Sequence, residues 1–211
     1  MFKNSRITKK GAASKERIMK SALAMFALKG YDAVRVDDIA RKARCNKAMI
    51  YYHFSSKRAL YQSILKYVLK DMLEQMNPIF DSTVQPAQKL RLVLSAFLDR
   101  YNERDEFIRL MLREVLSNGK NLKDECKNLM RTFFTCTQKI IKEGQENGQI
   151  LQGNPILLYR MLIGSIIFYF ISRPIPKTIL NIDGAETEET YRENKRIILD
   201  ILMRGIHNVS Q

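Results

Sequence analysis

Residues Val36–Lys57 read VDDIARKARCNKAMIYYHFSSK. Counted from Val36, Ile39 and Ala40 stand at positions four and five, Cys45 at ten and Ile50 at fifteen. That is the spacing of a helix-turn-helix, in which two short helices lock together and the second enters the DNA major groove. Ile39 and Ile50 are the apolar locking contacts. Ala40 is small where the helices cross, and a larger side chain there would push them apart. Asn46 is a good N-cap for the second helix. Asn46, Lys47, Ala48 and Met49 therefore stand at its N-terminus, the end that meets base edges in this motif. An ordinary helical hairpin inside a core is the competing reading of the same pattern.

Charge favours the first reading. Residues 1–70 hold 17 Lys and Arg against 4 Asp and Glu, whereas residues 71–211 hold 19 against 18. Almost all of the net charge of +14 thus lies in the third of the chain that carries the motif. A split this uneven predicts a polyanion partner for one part of the chain and not for the other. An anionic membrane is the second candidate. It requires an apolar stripe free to meet lipid, and the stripe of Ile18, Ala22, Met25 and Phe26 is better used as core.

The N-terminal residues resemble the tetracycline-repressor (TetR) family of bacterial transcription regulators. The resemblance is carried by Ile18, Ala22, Leu23, Phe26, Gly30 and Tyr31, then Val36, Asp38, Ile39, Ala40 and Ala43, then Lys47, Ile50, Tyr51, His53, Phe54, Lys57 and Leu60. The segment IYYHFSSKRALY is close to that family's usual wording. The likeness covers about residues 14–65. It implies an all-α chain of about nine helices, with a three-helix DNA-binding domain at 14–56 and a helical effector-binding and dimerisation domain at 57–211. It also implies a homodimer on double-stranded, near-palindromic operator DNA. Carried over position by position, Asn46, Lys47 and Ala48 open the recognition helix, with Lys47 and Ala48 nearest the bases. Tyr51 is a further contact position, and Arg35, Tyr52, His53 and Lys57 hold phosphates.

Four departures from the family pattern stand out. Arg44 occupies the turn where the family has Gly, and a left-handed turn residue other than Gly costs about 1 kcal/mol. Arg35 replaces a Thr or Ser that caps the first motif helix; it cannot cap, but it can still reach phosphate. Ala48 replaces a common Gly and Met49 a common Thr, so no relative's operator sequence transfers to this chain.

Along the rest of the chain the pattern is helical. Residues 1–13 are basic and lack the apolar run of a signal peptide; they read as a mobile arm, with Ser14 capping a helix that Gly30 ends. Ser55 or Ser56 caps a long helix from Lys57 to about Met76, which Asn77-Pro78 stops. Helical patterns follow at about 86–102, 105–118 and 121–147, punctuated by Gly119, Gly144 and Gly148. Asn154-Pro155 is a strong helix start. That helix runs to about Ser172, residues 173–186 read as a loop, and a last helix runs from about Glu188 to His207, with Glu186, Glu188 and Glu189 at its start.

In 156–171, ILLYRMLIGSIIFYFI, apolar residues surround the helix. The uncharged run Met161–Ile171 falls short of the roughly 20 apolar residues that span a membrane, so the expectation is no membrane partner. A helix apolar on every face must be buried on every face. The resemblance implies that it pairs, together with the last helix, with the same helices of a second copy through Leu157, Gly164, Ser165, Phe168, Ile198, Ile201 and Leu202. A wholly internal core helix is the alternative.

Cys45, Cys126 and Cys136 have no metal-ligand spacing, and an odd number of cysteines fits a reducing cytoplasm. No phosphate-binding Gly loop, Ser-His-Asp set or paired carboxylates stand out, so no catalytic residue, metal or cofactor is expected. Ten Met and ten Phe fill a core or line a cavity for an apolar or amphipathic small molecule. The lining candidates are Phe97, Met111, Phe133, Phe134, Tyr159 and Phe168. Glu114 joins them if it meets a cationic ligand; a solvated edge is the alternative. The expected function is a ligand-responsive repressor. The alternatives are a regulator without a small ligand, an activator, and a non-specific architectural DNA binder.

Overall fold

The structure, a computed structural model, describes residues 3–181 and 187–207; the side chains of residues 3–10, Lys177 and Leu180 fall outside that description. Its described residues form ten helices and no strand: α1 (Lys3–Lys29), α2 (Val36–Lys42), α3 (Lys47–His53), α4 (Lys57–Phe80), α5 (Pro86–Glu103), α6 (Asp105–Leu116), α7 (Asp124–Glu146), α8 (Pro155–Ser172), α9 (Pro174–Leu180) and α10 (Glu188–Ile206). A single antiparallel bridge joins Ile150 to His207. The all-α expectation holds, with one short helix more than the sequence suggests.

The chain divides into two compact units. The first comprises Met1–Lys70 and Glu106–Asn128, the second Asp71–Asp105 and Leu129–Gln211. The expected boundary at Ser56 is thus not where the compact units part, because the first half of α4 and nearly all of α6 belong with α1–α3.

In the first unit, Ile18, Ala22 and Phe26 of α1, Ile39 of α2, Ile50 of α3 and Leu60 of α4 are fully buried. Phe26 meets Tyr61 edge to face, with ring centroids 4.9 Å apart, a favoured aromatic geometry. Beside this core lies a buried polar knot. Glu114, only 1% exposed, accepts from the Tyr61 hydroxyl at 2.5 Å, the Asn121 backbone N–H at 3.2 Å and the Asn121 side-chain amide at 3.0 Å. Glu114 is therefore not the solvated edge that was one expectation for it, because α4 and the segment after α6 close around it. Burial, with the Glu114 carboxylate beside it, pushes the Tyr61 phenol pKa up, so Tyr61 remains a donor. The neighbouring Arg113 donates to the carbonyls of Ala27 and Leu28 at 2.9 and 2.6 Å. These are among the last carbonyls of α1, which lack partners within the helix.

In the second unit, α5 packs against both α8 and α10. Tyr191 and Lys195 of α10 both donate to Asp99 of α5, and Arg91 of α5 pairs with Asp200 of α10. Phe80, Phe97, Tyr101, Phe133, Phe134, Tyr159 and Phe170 form a linked aromatic cluster, with neighbouring ring centroids 4.7–6.2 Å apart. Burial pushes the Tyr101 and Tyr159 phenols up, so both stay protonated.

Several boundaries differ from the sequence reading. α1 begins at Lys3 and passes through Ser14, so the basic segment is the start of this helix and Ser14 is not its cap. Gly11, the only breaker there, has open space around it, and Ala and Lys favour helix. Pro78 lies inside α4. The one hydrogen bond it removes falls in the last turn, so the helix ends two residues later rather than at the proline. Pro174–Leu180 is helical where a loop was expected, with Pro174 in the first turn and Asn181 at φ 51° after the end. Residues 182–186, including Glu186, lie outside the described residues. Asn154 caps α8 as expected, accepting from the N–H groups of Ile156 and Leu157, and Thr187 caps α10.

Gly144 does not end α7. A Cβ at this position would stand 2.5 Å from Ile150 Cδ1 and 2.7 Å from Ile150 Cγ1, and Ile150 is fully buried. Gly144→Ala is therefore expected to destabilise the fold by about 1–3 kcal/mol through overpacking. Thermal or urea unfolding checks this, and trimming the neighbour in Gly144→Ala/Ile150→Val should recover part of the loss.

Candidate nucleic-acid interface

α2 and α3 are joined by a tight turn. The N–H groups of Ala43 and Cys45 bond back to the carbonyls of Ile39 and Ala40, and Arg44 takes φ 49°. The left-handed residue is the one the missing glycine marks. From α1, Arg17 donates to the Ala43 carbonyl at 2.8 Å and so ties the turn to the first helix. Asn46 has an extended backbone, and its side chain accepts from the Met49 N–H at 2.7 Å, as an N-cap should. Arg35 holds the N-cap position of α2 with no side-chain cap bond.

This framework decides which side of α3 is free. Ile50 is fully buried, while Asn46, Lys47, Ala48, Met49, Tyr51 and Tyr52 are exposed. Tyr52 is 81% exposed. Of the six basic or aromatic positions assigned to DNA, Arg35, Lys47, Tyr51 and Tyr52 are exposed and Lys57 is half-buried. The sixth is His53. Its ring is half-buried between Tyr52 and Phe54, and its Nε2 is buried with no hydrogen-bond partner among the described residues. Phosphate contact through Nε2 does not fit that placement.

Lys57 opens α4. Its ammonium sits 4.4 Å from the Tyr31 ring centroid and 3.4 Å from the Asp32 carbonyl. Ser56 caps the same helix by accepting from the Ala59 N–H at 3.0 Å. The Tyr31–Lys57 contact and the Arg17 tie bridge 26 residues each, and no local sequence signal announces either. Lys47 donates to Asp37 at 3.1 Å, a pair that the motif reading also missed.

The effector-lining candidates are divided between the two units. Phe97, Phe133, Phe134 and Tyr159 belong to the aromatic cluster of the second unit, whereas Met111 and Glu114 belong to the first. Phe168 is 64% exposed on the outer side of α8 and is no part of that cluster. It shares its face with Leu157, Met161, Gly164 and Ser165, all exposed. On α10, Ile201 is exposed and Ile198 and Leu202 are half-buried. No group of three or more His, Cys, Asp or Glu residues among the described residues could hold a metal.

A small helix-turn-helix with an outward-facing second helix, set in the basic part of a chain that continues as a helical unit with an aromatic interior, defines a DNA-binding regulator. The family model for bacterial regulatory proteins of the tetR family matches residues 18–64, and that for a tetracyclin repressor-like C-terminal domain matches residues 86–202. The chain belongs to the TetR family of bacterial transcription regulators. The HTH-type transcriptional repressor NicS of Pseudomonas putida is 24% identical over 196 residues, covering 92% of each chain. The ketosteroid transcriptional regulator KstR2 of Mycobacterium tuberculosis superposes with a TM-score of 0.74 at 20% identity, over 92% of this chain and 94% of that one. The regulator FadR of Bacillus subtilis, solved in complex with stearoyl-CoA, superposes with a TM-score of 0.65 at 19% identity, over 91% of this chain and 99% of that one.

Lys57 and Lys47 should behave differently when removed. Lys57→Ala is expected to weaken operator and random DNA alike and to flatten the salt dependence by about one unit for one lost phosphate contact. Lys47→Ala should instead change the preferred sequence, which selection from a random duplex library reads directly.

Proposed function

We propose that the protein is a homodimeric, non-enzymatic repressor of the cytoplasm, released from a near-palindromic operator by an apolar or amphipathic small molecule. Each copy presents α3 to one half-site, with Asn46, Lys47, Ala48 and Tyr51 at the bases and Arg35, Tyr52 and Lys57 at phosphates. The observation that carries this reading is the double use of apolar side chains in the second unit. Phe97, Tyr101, Phe133, Tyr159 and Phe170 of the aromatic cluster are buried inside it, while Leu157, Met161, Phe168 and Ile201 are 53–64% exposed outside. An exposed apolar stripe of that length calls for a partner. The stripe carries Gly164 and Ser165 at its middle, where a second copy of α8 can approach closely.

The same helix supports a second reading. Counter to the sequence expectation, Pro155–Pro176 is long and apolar enough to cross a membrane by length and composition, and 33% of its most apolar window is buried. The packing of α8 on α5 and its polar cap at Asn154 favour a protein partner over lipid. Flotation with anionic vesicles separates the two readings.

Where a Cβ would be added to Gly164, nothing lies within 4 Å in the single chain. Gly164→Leu therefore has room in one protomer and should even strengthen α8, since Gly is the poorer helix former by about 1 kcal/mol. Against a second copy of α8 it overpacks, at a cost of about 1–3 kcal/mol. Sedimentation should show a folded protein whose dimer and operator affinities fall together. Unchanged dimerisation would place the contact elsewhere.

A long-chain acyl-CoA and a ketosteroid are the first effector probes, because structural neighbours carry those names. A true effector should bind near the aromatic cluster and lower operator affinity by about 5- to 150-fold, and operator should lower effector affinity by the same factor. Equal compound affinities with and without operator would mark the compound as a passenger.

A further inference from the structure

Only four acidic residues occur among the first 70: Glu16, Asp32, Asp37 and Asp38. Asp38 pairs with Arg41 on its own helix at 3.0 Å. Asp37 reaches across to the recognition helix, with its Oδ2 3.1 Å from Lys47 Nζ. Both side chains are exposed, Asp37 at 61% and Lys47 at 50%.

Lys47 is the first residue of α3, whose first turn contains no acidic residue. An ammonium there faces the positive end of the helix dipole. Asp37 supplies the missing anion from the first turn of α2, where a carboxylate is itself favoured. That explains the pair as local electrostatics. It does not explain why a chain so basic in this region keeps a carboxylate beside its foremost base-reading side chain, where DNA phosphates repel it.

We propose that Asp37 is a specificity-determining residue that acts through Lys47. The reading rests on Lys47 as a base reader. An ammonium has three donors. One is held by Asp37, which leaves two for the adjacent O6 and N7 acceptors that guanine presents in the major groove. On guanine the pair persists and Lys47 arrives already oriented. On arbitrary DNA, where Lys47 can only reach for phosphate, the pair must break or the carboxylate must approach the phosphates. Asp37 thus penalises backbone-only binding more than binding to the operator.

The test compares a duplex selected by the wild-type protein from a random library with an unselected duplex, over a range of salt concentrations. Asp37→Asn should tighten binding to the unselected duplex and steepen its salt dependence by about one unit, as a freed Lys47 takes a phosphate. The ratio of selected to unselected affinity should fall about tenfold, and Asp37→Glu, which keeps the charge, should retain most of it. A purely structural role would lower the unfolding midpoint of Asp37→Asn and move both affinities by the same factor; that result overturns the proposal. In a Lys47→Ala background, Asp37→Asn should leave the ratio unchanged. If it still lowers the ratio, Asp37 acts on DNA without Lys47 and the proposal fails. If Lys47→Ala alone selects the wild-type motif, the base-reading assignment fails first, an outcome distinguishable from an idle Asp37.

Discussion

The complete burial of Ile39 and Ile50 is the constraint on which the reading head depends. With one isoleucine of each motif helix in the core, the rotation of α3 about its axis is set, and Lys47, Ala48 and Tyr51 have no choice but to face outward. Ala40, 6% exposed, keeps the two helices close. Arg44 takes φ 49° to make the turn, so some local strain is tolerated in exchange for this angle. The buried isoleucines set the face that α3 presents, and contacts such as Lys47 with Asp37 and Asn46 with the Met49 N–H then fix individual side chains on it.

The first unit is held by polar ties as well as by its core, and those ties reach well beyond the motif. Arg113 occupies two carbonyls at the end of α1, and Glu114 gathers Tyr61 of α4 and Asn121. Two consecutive residues of α6 thus fasten the helix that supports the motif and the helix that follows it. A buried carboxylate is tolerable only when its oxygens are satisfied, and Glu114 meets three donors. α4 contributes residues to both units.

Much of this was legible in the sequence where the signal is local. The Asn46 cap, the left-handed turn at Arg44, the failure of Arg35 to cap and the Asn154-Pro155 start all follow from what single residue types do to nearby backbone. Long-range pairings were not legible. Nothing near Glu114 announces Tyr61, and nothing near Lys57 announces Tyr31, because these partners meet only after the helices have packed. His53 and Phe168 show the same gap. Their residue types suit a phosphate contact and a pocket wall, but the packing of neighbours turns His53 Nε2 inward and Phe168 outward. The start of α1 and the end of α4 were misplaced for another reason: Ser14 and Pro78 signal helix boundaries only statistically, and neither is forced to act as one.

The central claim is that two copies of this chain, joined away from the reading heads, place two α3 helices on symmetry-related half-sites. Hydroxyl-radical footprinting of the selected duplex, with the stoichiometry of the complex measured by sedimentation, tests it most directly. The account predicts an even number of chains per duplex. It also predicts two equivalent protected patches on one face of the DNA, their centres about one helical turn, ~10 base pairs, or a multiple of it apart. One chain on one patch, or protection spread evenly with no fixed register, would contradict it.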